Sequence, residues 1–375
     1  MTDSAAFPSR NRRFFELDGL RAIAAFGVVC WHYINAFGSA PFTAALAPFY
    51  KRGLLMVDLF FVLSGFVLAH AFWRTGVSET IVRNVIIRVG RLYPLHFCTL
   101  VSVAAMQWFL ISLLGQDAFV YSHNDGYHLV LNIALLQSSG LQEGFSFNAP
   151  SWSISTEFLI NLLFLALITL RARTAILLMS LLTGAATITL ANRGLLNGTR
   201  ALGWIDNDLI RTVAGFFIGV LTYQIKQRVP DSPSVVADLS CTFLCGGITW
   251  YLASPSYWQT AGDLVVCLIG FPLLILAVLS STAVAAVLRL RPLIYFGKIS
   301  YSVYLNHFPL QLLVHILAVS FGWVIPFASP LCFCVFMSSV LMLSSLTYRL
   351  VELPGKLMIR AIAARSRLTA SPLTL

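Results

Sequence analysis

The sequence has little charge for its length. Only 11% of its 375 residues are Asp, Glu, Lys or Arg, whereas a soluble domain carries about 25%. Hydrophobic residues make up 58% of the chain. So few charged groups cannot cover a water-facing surface. The composition therefore excludes a soluble globular, a disordered and a nucleic-acid-binding protein, despite the net charge of +10, and it predicts a polytopic membrane protein.

Cysteine patterns that would hold a metal are also missing. The seven cysteines nearly all lie in apolar segments. The close pairs Cys241/Cys245 and Cys332/Cys334 have no second pair at metal-site spacing. We therefore expect buried thiols that pack as small hydrophobic groups, and no metal site.

Ten segments are apolar for about the 20 residues that a helix needs to cross a bilayer. Because no alternating barrel pattern appears, the fold class is predicted as all-α, a bundle of about ten transmembrane helices. A shorter apolar run at 128–137 is predicted to be a buried or re-entrant helix. The ten predicted spans are 20–37, 54–73, 92–114, 152–170, 174–190, 209–225, 235–252, 262–280, 299–320 and 324–350.

Lys and Arg are distributed unevenly between alternate connections. With the N-terminus inside, all but five of the 25 fall in inner segments, and the exceptions are Lys51, Arg52, Arg193, Arg200 and Arg211. This asymmetry predicts that both termini are cytoplasmic. We expect one membrane domain at 20–352, with a cytoplasmic segment at 1–19 and a basic cytoplasmic tail at 353–375. A cleavable signal peptide is the alternative interpretation of the first apolar segment.

Three of the titratable residues inside predicted spans lie at one depth, where an ionised group costs at least about 2.5–3.5 kcal/mol. Counted inward, His32, Asp58 and Glu157 fall within about two turns of the outer surface. If their helices are neighbours, a carboxylate can orient the imidazole and raise its basicity, as a general base requires. A structural ion pair between helices is the alternative.

Arginines gather at the opposite end of the same helices. Arg21 shares one face of the first helix with His32, roughly 16 Å away along the axis. Arg88 and Arg91 are three residues apart on the third helix. Positive-inside charge explains many such residues, but a pair of guanidinium groups can also bind phosphates in a bidentate manner. The sequence therefore suggests a phosphate-bearing ligand at the inner side.

Six motifs in order along the chain resemble the membrane-bound acyltransferase 3 family, which includes glycan O-acetyltransferases. The resemblance covers nearly the whole sequence. The segments that carry it are 17–24 with Arg21 and His32 in an Arg-x10-His pattern, 57–66, Arg88-x-x-Arg91-x-x-Pro94, Trp152-Ser153-Ile154-Ser155-Thr156-Glu157, 297–307 and Glu352-x-Pro354.

The resemblance implies an enzyme that takes an acyl group, commonly acetyl, from cytoplasmic acyl-CoA and gives it to a hydroxyl at the outer face. The acceptor would be a glycan or glycolipid, and lipopolysaccharide, exopolysaccharide, a lipo-oligosaccharide and a small antibiotic all stay open. Acyl-CoA would be a substrate, and no permanently bound cofactor is expected. The expected surroundings are membrane lipid, in the bacterial cytoplasmic (inner) membrane, without nucleic acid.

The same resemblance implies roles for the polar residues inside the spans. His32 would be the catalytic base or a transient acyl carrier, supported by Glu157 and Asp58. Arg88 and Arg91 would hold the CoA phosphates. Arg21 would help them, and its distance from His32 is comparable to the length of a pantetheine arm.

The outer connection at 115–150 is a candidate region for acceptor recognition. It contains no Lys or Arg but has aromatic residues and neutral or acidic hydrogen-bonding groups, which are typical of sugar sites. These residues are Tyr121, His123, Asp125, Tyr127, His128, Asn132, Phe145 and Phe147. A solvated loop is the alternative for any single residue in it.

Two other classes of protein remain open at this point. A proton-coupled or anion transporter could use the intramembrane His, Asp, Glu and Arg groups as a relay, although the chain lacks the two related halves that transporters usually show. A scaffold for anionic lipid would use only the basic inner segments.

Overall fold

The computed structural model describes residues 13–73, 81–196, 203–229, 234–254 and 259–368. Within these ranges the chain is helical, and short connections join the helices. The helices are α1 Phe15–Phe37, α2 Thr43–Arg52, α3 Met56–Phe72, α4 Ile81–Ser112, α5 Gly126–Ile133, α6 Trp152–Leu167, α7 Ala172–Arg193, α8 Asn207–Lys226, α9 Val235–Ala253, α10 Gln259–Val265, α11 Phe271–Ser280, α12 Ala283–Leu288, α13 Arg291–Lys298, α14 Ser300–Phe321, α15 Pro330–Thr347 and α16 Leu353–Leu368.

Ten helical stretches in the described ranges are long and apolar enough to cross a membrane. Each overlaps one of the ten predicted spans, so the predicted fold class is confirmed. The second stretch, Thr43–Phe72, begins before the predicted span because α2 continues into α3 through a 3-10 turn. The last, Pro330–Ile359, continues from α15 into α16 through a π turn.

The short apolar run predicted as a buried or re-entrant helix forms α5. Asp125 caps its first turn by accepting a hydrogen bond from the backbone N–H of His128. Such a cap satisfies one of the free N–H groups at a helix start. The helix ends at Ile133, four residues before the end of the predicted run.

Helices α3 and α8 pack backbone to backbone through glycines. A Cβ at Gly65 of α3 would collide with the carbonyl oxygen of Phe216, and one at Gly219 of α8 would collide with that of Val62. Small residues permit this close approach between membrane helices. The contact holds Asp58 and Ser64, which both lie on α3, in fixed positions.

The start of α1 comes together with elements from the last part of the chain, α13 and α16, at one side of the bundle. Gly297 of α13 lies against the carbonyl of Asp18 on α1, where a Cβ would collide with it. Helix α16 packs on α4, with Gly355 against Pro94. These contacts bring the start of α1, the end of α13 and the start of α16 around one region.

The predicted division into a terminal segment, a membrane domain and a basic tail stays a prediction. Residues 1–12 and 369–375 lie outside the described ranges, as does Arg200 of the outer set of arginines. Residues 353–368 of the expected tail form α16. The orientation of the termini also stays a prediction.

Candidate active site

A cavity of about 370 Å³ opens where the start of α1, the end of α13 and the start of α16 meet. Its wall comes from α1, α3, α4, α6, α13, α14 and the start of α16. Most of its charged and hydroxyl-bearing side chains belong to the sequence motifs described above. The lining residues are Arg13, Asp18, Arg21, Val57, Phe60, Phe61, Ser64, Arg91, Ser153, Ile154, Glu157, Gly297, Lys298, Ser300, Tyr301, Tyr304, Tyr348, Glu352 and Lys356.

Cationic side chains outnumber carboxylates on this wall. The cations are Arg13, Arg21, Arg91, Lys298 and Lys356, and the carboxylates are Asp18, Glu157 and Glu352. Asp18 lies 2.8 Å from Arg13 and 3.5 Å from Arg21, and Glu352 lies 2.9 Å from Lys356. Arg91 and Lys298 form no ion pair within the described part of the chain. The cavity is therefore suited to an anionic ligand.

Glu157 faces the arginine side of the molecule. The hydroxyl of Ser64 donates to its Oε1 at 2.7 Å, and the carboxylate lines the same cavity as Arg21 and Arg91. From the sequence, we expected this carboxylate to contact the imidazole of His32. That expectation of a His32–Glu157 contact was wrong, because a common depth in the membrane does not fix which face of a helix a side chain occupies.

Arg88 and Arg91 lie on α4, as the sequence indicated, but in different surroundings. Arg91 lines the cavity. Arg88 is 8% exposed and is not among the lining residues, and its guanidinium lies 5.6 Å from the centre of the Phe72 ring. Of the predicted phosphate-binding residues, the structure thus places Arg21 and Arg91 in the cavity and Arg88 beside it.

His32 lies beside a second histidine. Its ring centre is 4.5 Å from that of His307 on α14. The Nδ1 of His32 lies 2.9 Å from the carbonyl oxygen of Val28. Since a carbonyl can only accept, Nδ1 carries the proton and Nε2 keeps a free lone pair. A backbone carbonyl, and no carboxylate, thus orients the ring.

The second histidine is enclosed in the bundle. His307 is 0% exposed, and neither ring nitrogen has a hydrogen-bond partner in the described structure. Tyr304, one turn earlier on α14, has its ring centre 5.9 Å from that of His307. Its hydroxyl donates to the carbonyl of Pro150 at 2.6 Å and accepts from Ser153 at 2.8 Å. Because Tyr304 and Ser153 line the cavity, Tyr304 connects the cavity to the histidine pair.

Asp58 belongs to a separate ion pair. Its carboxylate accepts from Nε and Nη2 of Arg211 at 2.7 and 2.6 Å, and both side chains are 2% exposed. The expected contact between Asp58 and His32 was therefore wrong. Arg211 lies only four residues after the start of α8, and for this reason the sequence analysis placed it with the positive charges of the outer segments. In the structure, the close packing of α3 on α8 buries it.

The outer connection at 115–150 packs on the bundle. Asn132 is 0% exposed and donates to Ser146 at 2.8 Å. The ring of Tyr121 lies 5.8 Å from that of Phe308. Asp125 accepts from the backbone N–H of His128 and from its ring, and these hydrogen bonds lower the pKa of the exposed carboxyl. Much of this segment is thus a folded cap and not a solvated loop.

Comparison with known proteins identifies the scaffold that carries this site. The acyltransferase domain family matches residues 14–349 of the sequence. The chain belongs to the acyltransferase 3 family. The family resemblance inferred from the motifs is therefore confirmed, and the match includes every residue assigned to the cavity except Arg13, Glu352 and Lys356.

Relatives of this acyltransferase cover different parts of the chain. "Protein 2 in picA locus" of Rhizobium radiobacter is 32% identical over 41% of this chain and 81% of its own length. The acyltransferase MdmB of Streptomyces mycarofaciens is 32% identical over 42% of this chain and 40% of its own length. The peptidoglycan O-acetyltransferase OatA of Listeria monocytogenes is 24% identical over 78% of this chain and 49% of its own length. No solved structure matches the sequence.

Family membership decides between the classes of protein that the sequence left open. An acyltransferase family with O-acetyltransferases among the relatives places the reaction in O-acyl transfer. The transporter and the lipid scaffold are not supported. Within the described structure the groups that a transporter relay would use are also not connected, because Asp58 pairs with Arg211, Glu157 accepts from Ser64, and the ring of His32 is bonded to the carbonyl of Val28.

Sequence reasoning missed several residues of the site of this acyltransferase. His307 is the last residue of the 297–307 motif. The signal that could have identified it is a titratable side chain within an apolar span. Lys298 and Lys356 were counted only as inner positive charges. Their position in the cavity depends on how α13 and α16 pack, which the sequence does not display.

Proposed function

We propose that this acyltransferase transfers an acyl group, with acetyl as the first candidate, from acyl-CoA to a hydroxyl of a glycan or glycolipid. One observation carries the proposal. Helix α1 bears Arg21 in the anion-suited cavity and, roughly 16 Å further along its axis, His32 with a free Nε2 lone pair. A donor anchored by phosphates at one end and reactive at the other fits this arrangement.

Different residues of the cavity contact different parts of the donor. Arg21 and Arg91 contact its phosphates, since guanidinium groups bind phosphate oxygens in a bidentate manner. Arg88 adds positive charge from behind the wall. Glu157, which accepts a hydrogen bond from Ser64, supplies negative charge on the same cavity wall as these arginines. The pantetheine arm then passes Tyr304 on the way to the histidine pair.

The chemistry needs a base for the acceptor hydroxyl. The Nε2 of His32 takes the hydroxyl proton as the oxygen attacks the thioester carbonyl. The C–S bond then breaks, and the proton passes from His32 to the thiolate, which leaves as CoA–SH. In an alternative route, Nε2 attacks the thioester carbonyl and the C–S bond breaks, so that CoA leaves as a thiolate and an acyl-His32 intermediate forms. The acceptor hydroxyl then attacks the acyl group, the C–N bond breaks, and the hydroxyl proton passes through the freed Nε2 to the thiolate. His307 borders the imidazole on the α14 side and limits its movement.

The proposed site joins the two sides of the bacterial cytoplasmic membrane. The Lys and Arg asymmetry supports cytoplasmic termini, which would open the cavity to the cytoplasm. The histidine pair then lies toward the outer half, near the cap formed by 115–150. A periplasmic or surface glycan would approach from that side. OatA of Listeria monocytogenes, named for peptidoglycan O-acetylation, supports a glycan acceptor.

The activity can be tested with purified protein in detergent. Labelled acetyl-CoA is mixed with surface glycans isolated from a strain that lacks the gene, and transfer is followed by mass spectrometry and by release of CoA. We expect a labelled ester on one glycan fraction, lost with His32→Ala. Absence of acetyl-CoA binding to the folded protein would contradict the proposal.

The donor site predicts different effects at two neighbouring arginines. Arg91→Lys should weaken CoA binding about three- to tenfold, because lysine keeps the charge but loses the planar fork. Arg88→Lys should weaken it less, since Arg88 does not line the cavity. Calorimetry with CoA measures both, and Arg171→Lys, an exposed position before α7, is the control. A larger loss at Arg88 than at Arg91 would contradict this assignment.

A further inference from the structure

The cationic groups of the cavity lie at two depths. Arg21 is the deeper group, with 16% of its side chain exposed. Arg13, with 52% exposed, and the exposed Lys298 mark the mouth, and Lys356 with 24% lies between these extremes. Exposure thus separates the more enclosed Arg21 from the exposed cations at the mouth, and the partly buried Arg91 lines the same cavity. A ligand with a single phosphate group would contact only one of these two sets of cations.

Not all charges at the mouth are available to a ligand. Asp18 neutralises Arg13 through hydrogen bonds from Nε and Nη2 at 3.1 and 2.8 Å. Lys356 donates to Glu352, whose other oxygen accepts from Ser302. Lys298 alone of the three mouth cations forms no ion pair with a residue that the structure describes. The uncompensated charge at the mouth is therefore that of Lys298.

We propose that Lys298 is a second phosphate subsite that binds the ribose 3′-phosphate of the CoA donor. The proposal rests on the function proposed above. CoA carries a pyrophosphate at the start of its pantetheine arm and a separate phosphate on its ribose. With the pyrophosphate on Arg21 and Arg91, the arm points inward and the nucleoside end lies at the mouth. An ammonium group then meets the second phosphate as a point charge.

This subsite makes the enzyme distinguish CoA from 3′-dephospho-CoA. Calorimetry in detergent should show that the wild-type protein binds CoA about three- to tenfold more tightly, a modest factor because Lys298 is exposed to solvent. Lys298→Gln should weaken CoA binding by that factor and leave dephospho-CoA binding unchanged. This variant orphans no carboxylate, whereas Lys356→Gln would leave the buried Glu352 without its ion pair.

Arg291→Gln is the matched control, because Arg291 is an exposed cation on the same helix α13 but lies outside the cavity. It should keep the wild-type preference for CoA. Equal wild-type affinity for the two ligands, or a Lys298→Gln variant that weakens both equally, would overturn the subsite. Displacement of CoA by added phosphatidylglycerol would assign the mouth to lipid and also overturn it. If neither nucleotide binds the folded wild-type protein, the acyl-CoA donor itself is wrong.

Discussion

His32→Ala should reduce acyl transfer by about 10²–10⁴-fold, the usual cost of losing a general base. The protein should still insert and fold, because within the described residues the ring is hydrogen-bonded only to the carbonyl of Val28, an acceptor that remains in the helix. CoA affinity should stay near the wild-type value, since the ring is not part of the cavity wall. Rates of CoA release and calorimetric affinities, measured on one preparation, test both statements.

Two further histidine variants make this test specific. His315→Ala removes a histidine of α14 whose ring contacts Phe119, and it should leave turnover close to the wild-type rate. His307→Ala removes the neighbour of His32 and should lower the rate less than His32→Ala. A folded His32→Ala protein with near-normal turnover, or a larger loss with His307→Ala, would move the base away from His32.

Asp58→Asn should lower the free energy of unfolding by about 3 kcal/mol, because it removes the nearer counter-charge of the buried Arg211 guanidinium and leaves only Asp208, 3.8 Å away. The side chains of Asp58 and Arg211 are both 2% exposed, so water cannot replace the lost carboxylate. The midpoint of thermal unfolding in detergent measures the change. Asp125→Asn, at an exposed carboxylate, is the control and should have little effect.

The double variant Asp58→Leu with Arg211→Met separates a structural role from a catalytic one. Replacing a buried ion pair by apolar residues of similar volume is often neutral or stabilising, so the double variant should recover most of the lost stability and retain acyl transfer. A double variant that is stable but inactive would show instead that Asp58 takes part in the reaction, as the family resemblance implied.

The helices could be predicted from the sequence because the bilayer imposes a length on each apolar segment. The contact partners of the polar residues could not be predicted in this way. His32, Asp58 and Glu157 share a depth, but the rotation of each helix decides whether they meet. The Asp58–Arg211 pair joins residues 153 positions apart, and only the close α3–α8 packing shows it.

The cavity gives a second example of this difference. Arg21 and Arg91 could be recognised as candidates because guanidinium groups at the inner ends of helices can bind phosphates and because both stand in motifs that resemble those of the family. Lys298 also stands in such a motif, 297–307, but an inner lysine is ordinary in a membrane protein and did not suggest a ligand. It enters the cavity wall because Gly297 lets α13 approach α1 closely. A backbone contact of this kind leaves little trace in the pattern of a single sequence.

One CoA molecule should span the arginine cavity and the histidine pair. A structure of the wild-type protein with bound CoA, determined by electron cryomicroscopy, tests this. We expect the pyrophosphate against Arg21 and Arg91 and the sulfur near Nε2 of His32, where a thioester carbonyl would come within about 3–3.5 Å of an attacking hydroxyl. A pantetheine arm that leaves the cavity away from Tyr304 and ends far from His32 would contradict it.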